Sequence, residues 1–188
     1  MKRIALTGNI ASGKTLIENQ FKSLGISVID ADKVAHEALE EKLSVLKNFF
    51  GEKIINQGQL NRQSLAKIVF TDKSKKEKLE KIIHPIVKEK IEKFLNENPH
   101  AIASIPLLFE VGWQNDFDTI IFVMAKDAIR QKRLINRNNF SKEEARKRMQ
   151  SQLPQLAKAQ KSDFVIDNNG TKEETFEQVK KIYDKIWM

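Results

Sequence analysis

Residues 8–15 read Gly-Asn-Ile-Ala-Ser-Gly-Lys-Thr and fit the pattern Gly-x-x-x-x-Gly-Lys-Ser/Thr. They follow the apolar run Ile4-Ala5-Leu6, so a buried strand would lead through a tight loop into a helix, which is the order that a phosphate-binding loop requires. Glycines let the backbone curl until successive N–H groups point inward and, with the helix N-terminus, surround a polyphosphate. An ordinary glycine-containing turn before a helix is the competing interpretation, and the strand, loop and helix context favours the phosphate loop.

The last two residues of the phosphate loop (residues 8–15) predict the chemistry of its ligand. The Lys14 ammonium would reach the β- and γ-phosphates of a nucleoside triphosphate, and the Thr15 hydroxyl would contact Mg²⁺. The sequence therefore predicts a nucleoside triphosphate as a substrate and Mg²⁺ as a cofactor.

The composition indicates one compact α/β domain over residues 1–188, with 40% hydrophobic and 31% charged residues. No apolar run approaches the roughly 20 residues that span a bilayer, and the first strand does not resemble a signal peptide, so we expect a cytoplasmic protein without a membrane partner. The chain has no cysteine, which excludes disulfides, thiolate metal sites and thiol nucleophiles. The sequence leaves the oligomeric state open.

The formal net charge of +8 is concentrated in one segment. Residues 126–161 hold eleven basic and three acidic residues, an excess that equals the charge of the whole chain. Such a segment could close over a triphosphate, lie along a nucleic-acid backbone or form a solvated helix face.

Apolar runs rich in branched residues predict five buried parallel strands, and helical patterns lie between them. Residues 35–98 contain several helical patterns and no convincing strand, so we expect a helical insertion on the substrate side of the sheet. Residues 126–161 are also helical and predict a lid. The predicted strands cover residues 3–7, 26–29, 101–105, 119–124 and 164–166, and the predicted helices cover 14–23, 31–50, 62–69, 73–83, 85–96, 128–136 and a C-terminal stretch that ends at residue 187.

A phosphate loop needs a carboxylate near Mg²⁺, and it usually follows a neighbouring strand. Asp30 and Asp32 come at the end of the second predicted strand. Either could hold metal-bound water or accept a proton from an attacking hydroxyl, and N-capping of the next helix is the alternative.

Arginines are the expected partners of a transferring phosphoryl group, because a planar guanidinium can meet two of its oxygens. Arg133 and Arg137 share a helix face, whereas Arg146 and Arg148 in the next predicted helix point in different directions. We expect one or two of these four to contact phosphate.

Seven motifs occur along the chain in a characteristic order and spacing. They are Leu6-Thr7-Gly8 through Gly13-Lys14-Thr15, Val28-Ile29-Asp30-Ala31-Asp32, His84-Pro85, Pro106-Leu107-Leu108-Phe109-Glu110, Arg133-x-x-x-Arg137, Gln152-Leu153-Pro154 and Asp163-Phe164-Val165-Ile166-Asp167-Asn168-Asn169-Gly170. With these motifs the chain resembles, over nearly its whole length, the bacterial dephospho-CoA kinase family. The resemblance implies a P-loop kinase-like three-layer fold with a parallel five-stranded sheet, a helical CoA-side subdomain and a helical lid.

The family resemblance implies transfer of the γ-phosphoryl group of ATP to the ribose 3′-hydroxyl of dephospho-CoA, giving coenzyme A and ADP. It implies catalytic roles for Lys14, Asp32 and Arg137, with Asp32 and Thr15 near Mg²⁺. The residues implied in ATP binding are Gly8, Asn9, Ile10, Ala11, Ser12, Gly13, Lys14, Thr15 and Leu16.

Three further residues are candidates for binding the acceptor. Arg133 is one of them. His84 precedes a proline within the predicted insertion, where it could fix the start of a helix or contact the acceptor. Glu110 follows a strand and could cap a helix or contact the acceptor.

The phosphate loop departs from the family pattern at two glycine positions, which are Asn9 and Ala11 here. Asparagine tolerates a positive φ better than alanine does, so a positive φ at Ala11 would strain the loop.

Two other functions remain open from the sequence. Another small-molecule kinase, acting on a nucleotide or a sugar, would use the same loop. A nucleic-acid-associated ATPase would explain the basic segment, but no stripe of alternating basic and aromatic residues accompanies it, so we expect no nucleic-acid partner.

Overall fold

The N-terminal strand forms the centre of a parallel sheet in the computed structural model, which describes residues 2–188. The strands of this part of the chain are β1 (Ile4–Gly8), β2 (Ser27–Asp30), β3 (Ile55–Asn56), β4 (Gln59–Leu60), β5 (Ala101–Ser104), β6 (Thr119–Met124) and β7 (Phe164–Asp167). The α-helices are α1 (Lys14–Ser23), α2 (Ala31–Glu41), α3 (Leu43–Phe50), α4 (Arg62–Thr71), α5 (Lys73–Glu97), α6 (Asp127–Asn138), α7 (Lys142–Gln150), α8 (Gln155–Ala159) and α9 (Lys172–Trp187). None of them is long and apolar enough to cross a membrane.

Five strands pair in the order β2-β5-β1-β6-β7, and every pairing is parallel. All five residues of β1 are buried, as expected for a central strand that is covered on both faces. Helices α1 and α9 contribute Ile17, Phe21 and Val179 to the core cluster that the strands share. This arrangement confirms the predicted five-stranded parallel sheet, and it brings the carboxyl ends of all five strands to one edge.

The chain divides into two compact units, the sheet unit (residues up to Asp30 and Leu95–Met188) and the helical unit (Ala31–Phe94). The helical unit has a hydrophobic core of its own, formed by Leu46, Phe50, Ile54, Leu60 and Leu65.

The helical unit differs from its prediction in three ways. Strands β3 and β4 form a two-residue antiparallel hairpin, so the expectation of no strand there is wrong. The hairpin turns at Gln57 and Gly58, whose φ angles are 52° and 81°, the left-handed conformations that such tight turns require. The single helix predicted over residues 31–50 is two helices, α2 and α3, and the two helices predicted on either side of Pro85 are one continuous helix, α5.

Two helices in the sheet unit begin with a capping box, a Ser or Thr followed three residues later by Glu. The Ser141 side chain accepts from the backbone N–H of Glu144 at the start of α7, and Thr171 accepts from Glu174 at the start of α9. In both cases the glutamate returns a bond to the backbone N–H of the capping residue, so two backbone donors at each helix start are satisfied.

Candidate active site

The phosphate loop connects the end of β1 to the start of α1, and its two glycines stand where no side chain fits. Gly13 has φ of 97°, and a Cβ there would overlap Nδ2 of Asn168. A Cβ on Gly8 would lie 2.6 Å from Ser12 Oγ and 2.9 Å from the carbonyl oxygen of Val123. The backbone therefore needs glycine at both positions to close the turn.

The two departures from glycine have different consequences. Ala11 lies in the left-handed region with φ of 62°, so the expected strain is present there. Asn9 is buried, and its Nδ2 donates to the carbonyl oxygen of Leu153 at 2.9 Å. Asn9 therefore ties the loop to the segment before α8 through a side-chain bond that glycine could not make.

The start of α1 is open to a ligand. Gly13 is its N-cap residue and has no side chain to cap this helix end. The next residues are Lys14, whose side chain is 14% exposed, and the exposed Thr15. An uncapped helix N-terminus carries partial positive charge and backbone donors, which suit an anionic ligand.

Lys14 forms a cluster with Glu18 and Ser104 at the end of β5. Its Nζ lies 2.6 Å from Glu18 Oε1 and also contacts the Ser104 hydroxyl, which in turn lies 2.5 Å from Glu18 Oε1. Burial raises the pKa of Glu18, but hydrogen bonds from Lys14 and Ser104 outweigh burial and hold the pKa below its usual range. The Glu18 carboxylate is therefore ionised at neutral pH, and nothing in the loop motif indicates this partner of the lysine.

The carbonyl oxygens of the phosphate loop are held from behind by α6 and by the segment after β7. Nη1 of Arg133 donates to the carbonyl oxygens of Ser12 at 2.9 Å and Ala11 at 3.3 Å, and its Nη2 donates to that of Asn168 at 3.2 Å. Asn168 Nδ2 donates to the same Ser12 oxygen at 2.7 Å. These bonds fix the side of the loop that carries carbonyl groups. Among the N–H groups of the loop, that of Ile10 donates to Gln152 Oε1 at 2.7 Å, and that of Ser12 donates to the carbonyl oxygen of Asn9 at 3.0 Å.

Arg130 is a second brace that the sequence did not single out. Its side chain is buried, and Nε donates to the carbonyl oxygen of Ile10 at 3.0 Å. Burial lowers the pKa of Arg130, while the nearby Asp127 carboxylate raises it. The three-residue spacing to Arg133 puts both guanidinium groups on the loop-facing side of α6.

Glu110 joins a buried ion pair. Its Oε1 lies 2.5 Å from Nζ of Lys158 and accepts from the backbone N–H of Leu153 at 3.2 Å. The Lys158 side chain is 1% exposed. Its burial lowers the pKa of Lys158, and the nearby Glu110 carboxylate offsets this shift only in part. Glu110 thereby ties the segment after β5 to α8 and to the residues just before it.

The remaining predicted site residues, Arg137, Asp32 and His84, lie on three different helices, α6, α2 and α5. Arg137 is exposed near the end of α6, and its Nε donates to Asn138 Oδ1 at 2.9 Å. Asp32 is exposed in the first turn of α2, and His84 is half-buried in α5; both belong to the helical unit. Burial lowers the pKa of His84, with a smaller opposing effect from Glu80.

A parallel sheet whose central strand leads through a Gly-x-x-x-x-Gly-Lys-Thr loop into a helix defines the P-loop fold. The molecule is a nucleotide-binding protein of that class. A sequence model of the family described as dephospho-CoA kinase matches residues 2–174, and the chain belongs to this family. The resemblance predicted from the sequence is thereby confirmed.

Individual relatives agree with the family assignment. The chain is 41% identical over 187 residues to the dephospho-CoA kinase of Listeria monocytogenes serotype 4b (strain F2365), covering 95% of this chain and 94% of that protein. The dephospho-CoA kinase structure from Campylobacter jejuni has a TM-score of 0.76 and 30% identity, and the match covers 98% of this chain and 96% of the other. A crystal structure from Thermus thermophilus has a TM-score of 0.92 and 33% identity over 100% of this chain and 98% of the other. The enzyme is a transferase, a kinase that phosphorylates dephospho-CoA with ATP.

Proposed function

We propose that the enzyme transfers the γ-phosphoryl group of ATP to the ribose 3′-hydroxyl of dephospho-CoA and releases coenzyme A and ADP. The observation that carries this proposal is the uncapped start of α1, with Lys14 in its first turn and the loop carbonyls turned to Arg133 and Asn168. Such a start favours phosphate oxygens, because its backbone donors and its partial positive charge act together.

The phosphate loop would hold the triphosphate. Backbone N–H groups where the loop enters α1, at residues 13–15, would surround the β-phosphate, and Lys14 would bridge the β- and γ-phosphates. The exposed Thr15 hydroxyl and the Asp32 carboxylate are hard oxygen donors of the kind that Mg²⁺ prefers, so they fit this ion and would hold it. When bound, the ion would neutralise negative charge on the triphosphate.

Asp32 would orient the acceptor hydroxyl and accept its proton. A carboxylate suits this role because transfer needs a positioned base close to the attacking oxygen. We propose residues 35–98 as the CoA-side subdomain and His84 as an acceptor contact. The lowered pKa of His84 would leave it a neutral imidazole, which can both donate and accept a hydrogen bond.

Residues 126–161 would act as the lid, and Arg137 would contact the transferring phosphoryl group. Arg137 is exposed at the end of α6, whereas Arg133 is already bonded to three carbonyl oxygens. Closure would exclude water, which otherwise competes with the ribose hydroxyl as the acceptor.

The substitution Asp32→Asn tests the proposed base. We expect turnover to fall at least about 100-fold while the dissociation constant for ATP changes little, because the amide keeps the shape but cannot take a proton. Steady-state kinetics and calorimetric titration with ATP measure the two effects. Wild-type turnover in this variant would remove Asp32 from the mechanism.

An acceptor screen separates the proposal from its two rivals. ADP release would be compared for dephospho-CoA, adenosine, nucleoside monophosphates, sugars and RNA. We expect release with dephospho-CoA alone and a product phosphorylated at the 3′-oxygen. Turnover with a nucleotide or a sugar would indicate another small-molecule kinase, and hydrolysis stimulated by RNA in a salt-sensitive way would indicate a nucleic-acid-associated ATPase.

We also propose that the enzyme acts in the cytoplasm with neither a nucleic-acid nor a membrane partner, since ATP and dephospho-CoA are its proposed substrates. Cell fractionation tests the location.

A further inference from the structure

Glu18 carries a charge beside the phosphate loop that the proposed mechanism does not use. It lies one helical turn after Lys14 on α1 and is 6% exposed. Its Oε1 accepts from Lys14 Nζ at 2.6 Å and from Ser104 Oγ at 2.5 Å. The Ser104 hydroxyl accepts from the same ammonium, so the three groups form a closed triangle of hydrogen bonds.

The triangle of hydrogen bonds occupies the Lys14 ammonium, which a bound nucleotide would also need. An ammonium has three donors, and two of those of Lys14 point to Glu18 and Ser104. A phosphate-loop lysine bridges the β- and γ-phosphates when a triphosphate binds. The carboxylate and the phosphates therefore compete for one ammonium, and their negative charges repel each other in a poorly solvated site.

We propose that Glu18, assisted by Ser104, is a positioning residue that holds Lys14 against the end of β5 in the nucleotide-free enzyme and thereby weakens the binding of ATP and ADP. The inference rests on the proposed function, since it takes the role of Lys14 from there. In the nucleotide-free enzyme the Glu18 carboxylate neutralises the charge of the Lys14 ammonium. Without this partner the buried charge would destabilise the fold. The carboxylate also favours release of ADP, because it takes Lys14 back.

The variant Glu18→Gln tests this role, because it keeps the shape and an acceptor oxygen but removes the charge. We expect the dissociation constants of ATP and ADP, measured by calorimetry in EDTA, to fall about tenfold, the size expected from loss of a charged hydrogen bond. The affinity for AMP, which has no β- or γ-phosphate, should not change. Ser104→Ala should act in the same direction and more weakly.

Glu177→Gln is the matched control for loss of a negative charge. Glu177 pairs with Lys180 on the surface of α9, and its side chain is 61% exposed. We expect nucleotide affinity in this variant to equal that of the wild type. The KM for dephospho-CoA should remain unchanged in Glu18→Gln, because the partners of this carboxylate are Lys14 and Ser104, neither of which is assigned to the acceptor.

Three results would overturn the proposal. One is unchanged or weaker ATP binding by Glu18→Gln in EDTA, and another is equal tightening for AMP. The third is weaker binding only with Mg²⁺ present, which would assign Glu18 to the metal instead. If Glu18→Gln does not fold, Ser104→Ala decides, and unchanged affinity there overturns the proposal.

Lys14→Ala separates this inference from the proposed function. Wild-type ATP affinity in Lys14→Ala would contradict the proposed function itself. ATP binding that depends on Lys14 but not on Glu18 would contradict only the inference.

Discussion

The backbone of Ala11 occupies the left-handed region, with φ of 62° in the middle of the phosphate loop. An L-residue with a Cβ is disfavoured there by about 1–2 kcal/mol. We expect Ala11→Gly to raise the free energy of unfolding by about 0.5–1 kcal/mol, because relief of strain exceeds the larger unfolded-state freedom of glycine. Chemical denaturation measures the change.

Gln57→Gly is the matched comparison for Ala11→Gly. Gln57 has φ of 52° in the hairpin of β3 and β4, so it should gain similar stability. We expect only Ala11→Gly to alter the KM for ATP, because only Ala11 lies in the phosphate loop. Loss of stability in Ala11→Gly would show that the Ala11 conformation is not strained.

Substitution of Arg133 shows whether this residue stabilises the phosphate loop or binds the acceptor. We expect Arg133→Ala to raise the KM for ATP about tenfold, because two loop carbonyl oxygens and that of Asn168 lose a charged donor and the loop is held less firmly. The KM for dephospho-CoA should change little in steady-state kinetics. Lys132→Ala, an exposed position on the same helix, should match the wild type.

An increase only in the KM for dephospho-CoA would instead assign Arg133 to the acceptor, as the sequence suggested.

The loop itself was predictable, because the spacing of Gly8, Gly13 and Lys14 reflects local backbone geometry. The partners of Arg133 and Glu110 were not predictable, since a one-dimensional spacing carries no information about tertiary contacts. Glu110 meets Lys158 across 48 positions.

At the scale of secondary-structure elements, helix α5 contains His84, whose protonation makes the free energy of unfolding depend on pH. Burial lowers the pKa of His84 from its ordinary value of 6.5, and the nearby lysines Lys88 and Lys76 lower it further against Glu80. Between the lowered pKa of His84 in the folded protein and its ordinary value of 6.5, the unfolded chain binds more protons than the folded one. The free energy of unfolding therefore increases with pH across this range. We expect the free energy of unfolding to fall as the pH decreases from 6.5 through the lowered pKa.

Denaturant titrations of the wild type and His84→Asn over this pH range measure the effect. The variant should show a weaker dependence on pH, since it lacks the titrating group. Equal dependence in both proteins would mean that His84 has the same pKa in the folded and unfolded chain.

The continuity of α5 explains one wrong boundary. The residue before a proline disfavours the α conformation, so the sequence predicted a break at Pro85. Ile83, Val87 and Ile91 are all buried at four-residue spacing across that point, and burial of this stripe outweighs the local preference. The missed hairpin has a different cause, because strands of two residues are too short for any periodicity.

At the scale of the whole molecule, the basic segment divides into structural and exposed cations. Arg130 and Arg133 bond to the phosphate loop, and Lys158 is buried against Glu110. Lys132, Lys142 and other side chains of the segment are exposed. Sequence analysis located the excess charge, but only the fold shows that part of it holds the loop in place.

This division predicts different effects for exposed lysines and for Arg137. The double variant Lys132→Gln/Lys142→Gln should keep both KM values within about twofold, because exposed charges are screened within about 10 Å at 0.1 M salt. Arg137→Gln should lower kcat about 100-fold, as expected when a donor to transition-state charge is lost. Homopolymeric RNA should neither compete with dephospho-CoA nor stimulate ATP hydrolysis by either protein. If instead RNA stimulates hydrolysis and the lysine variant loses that response while Arg137→Gln keeps it, the basic segment binds nucleic acid and the lid assignment is wrong.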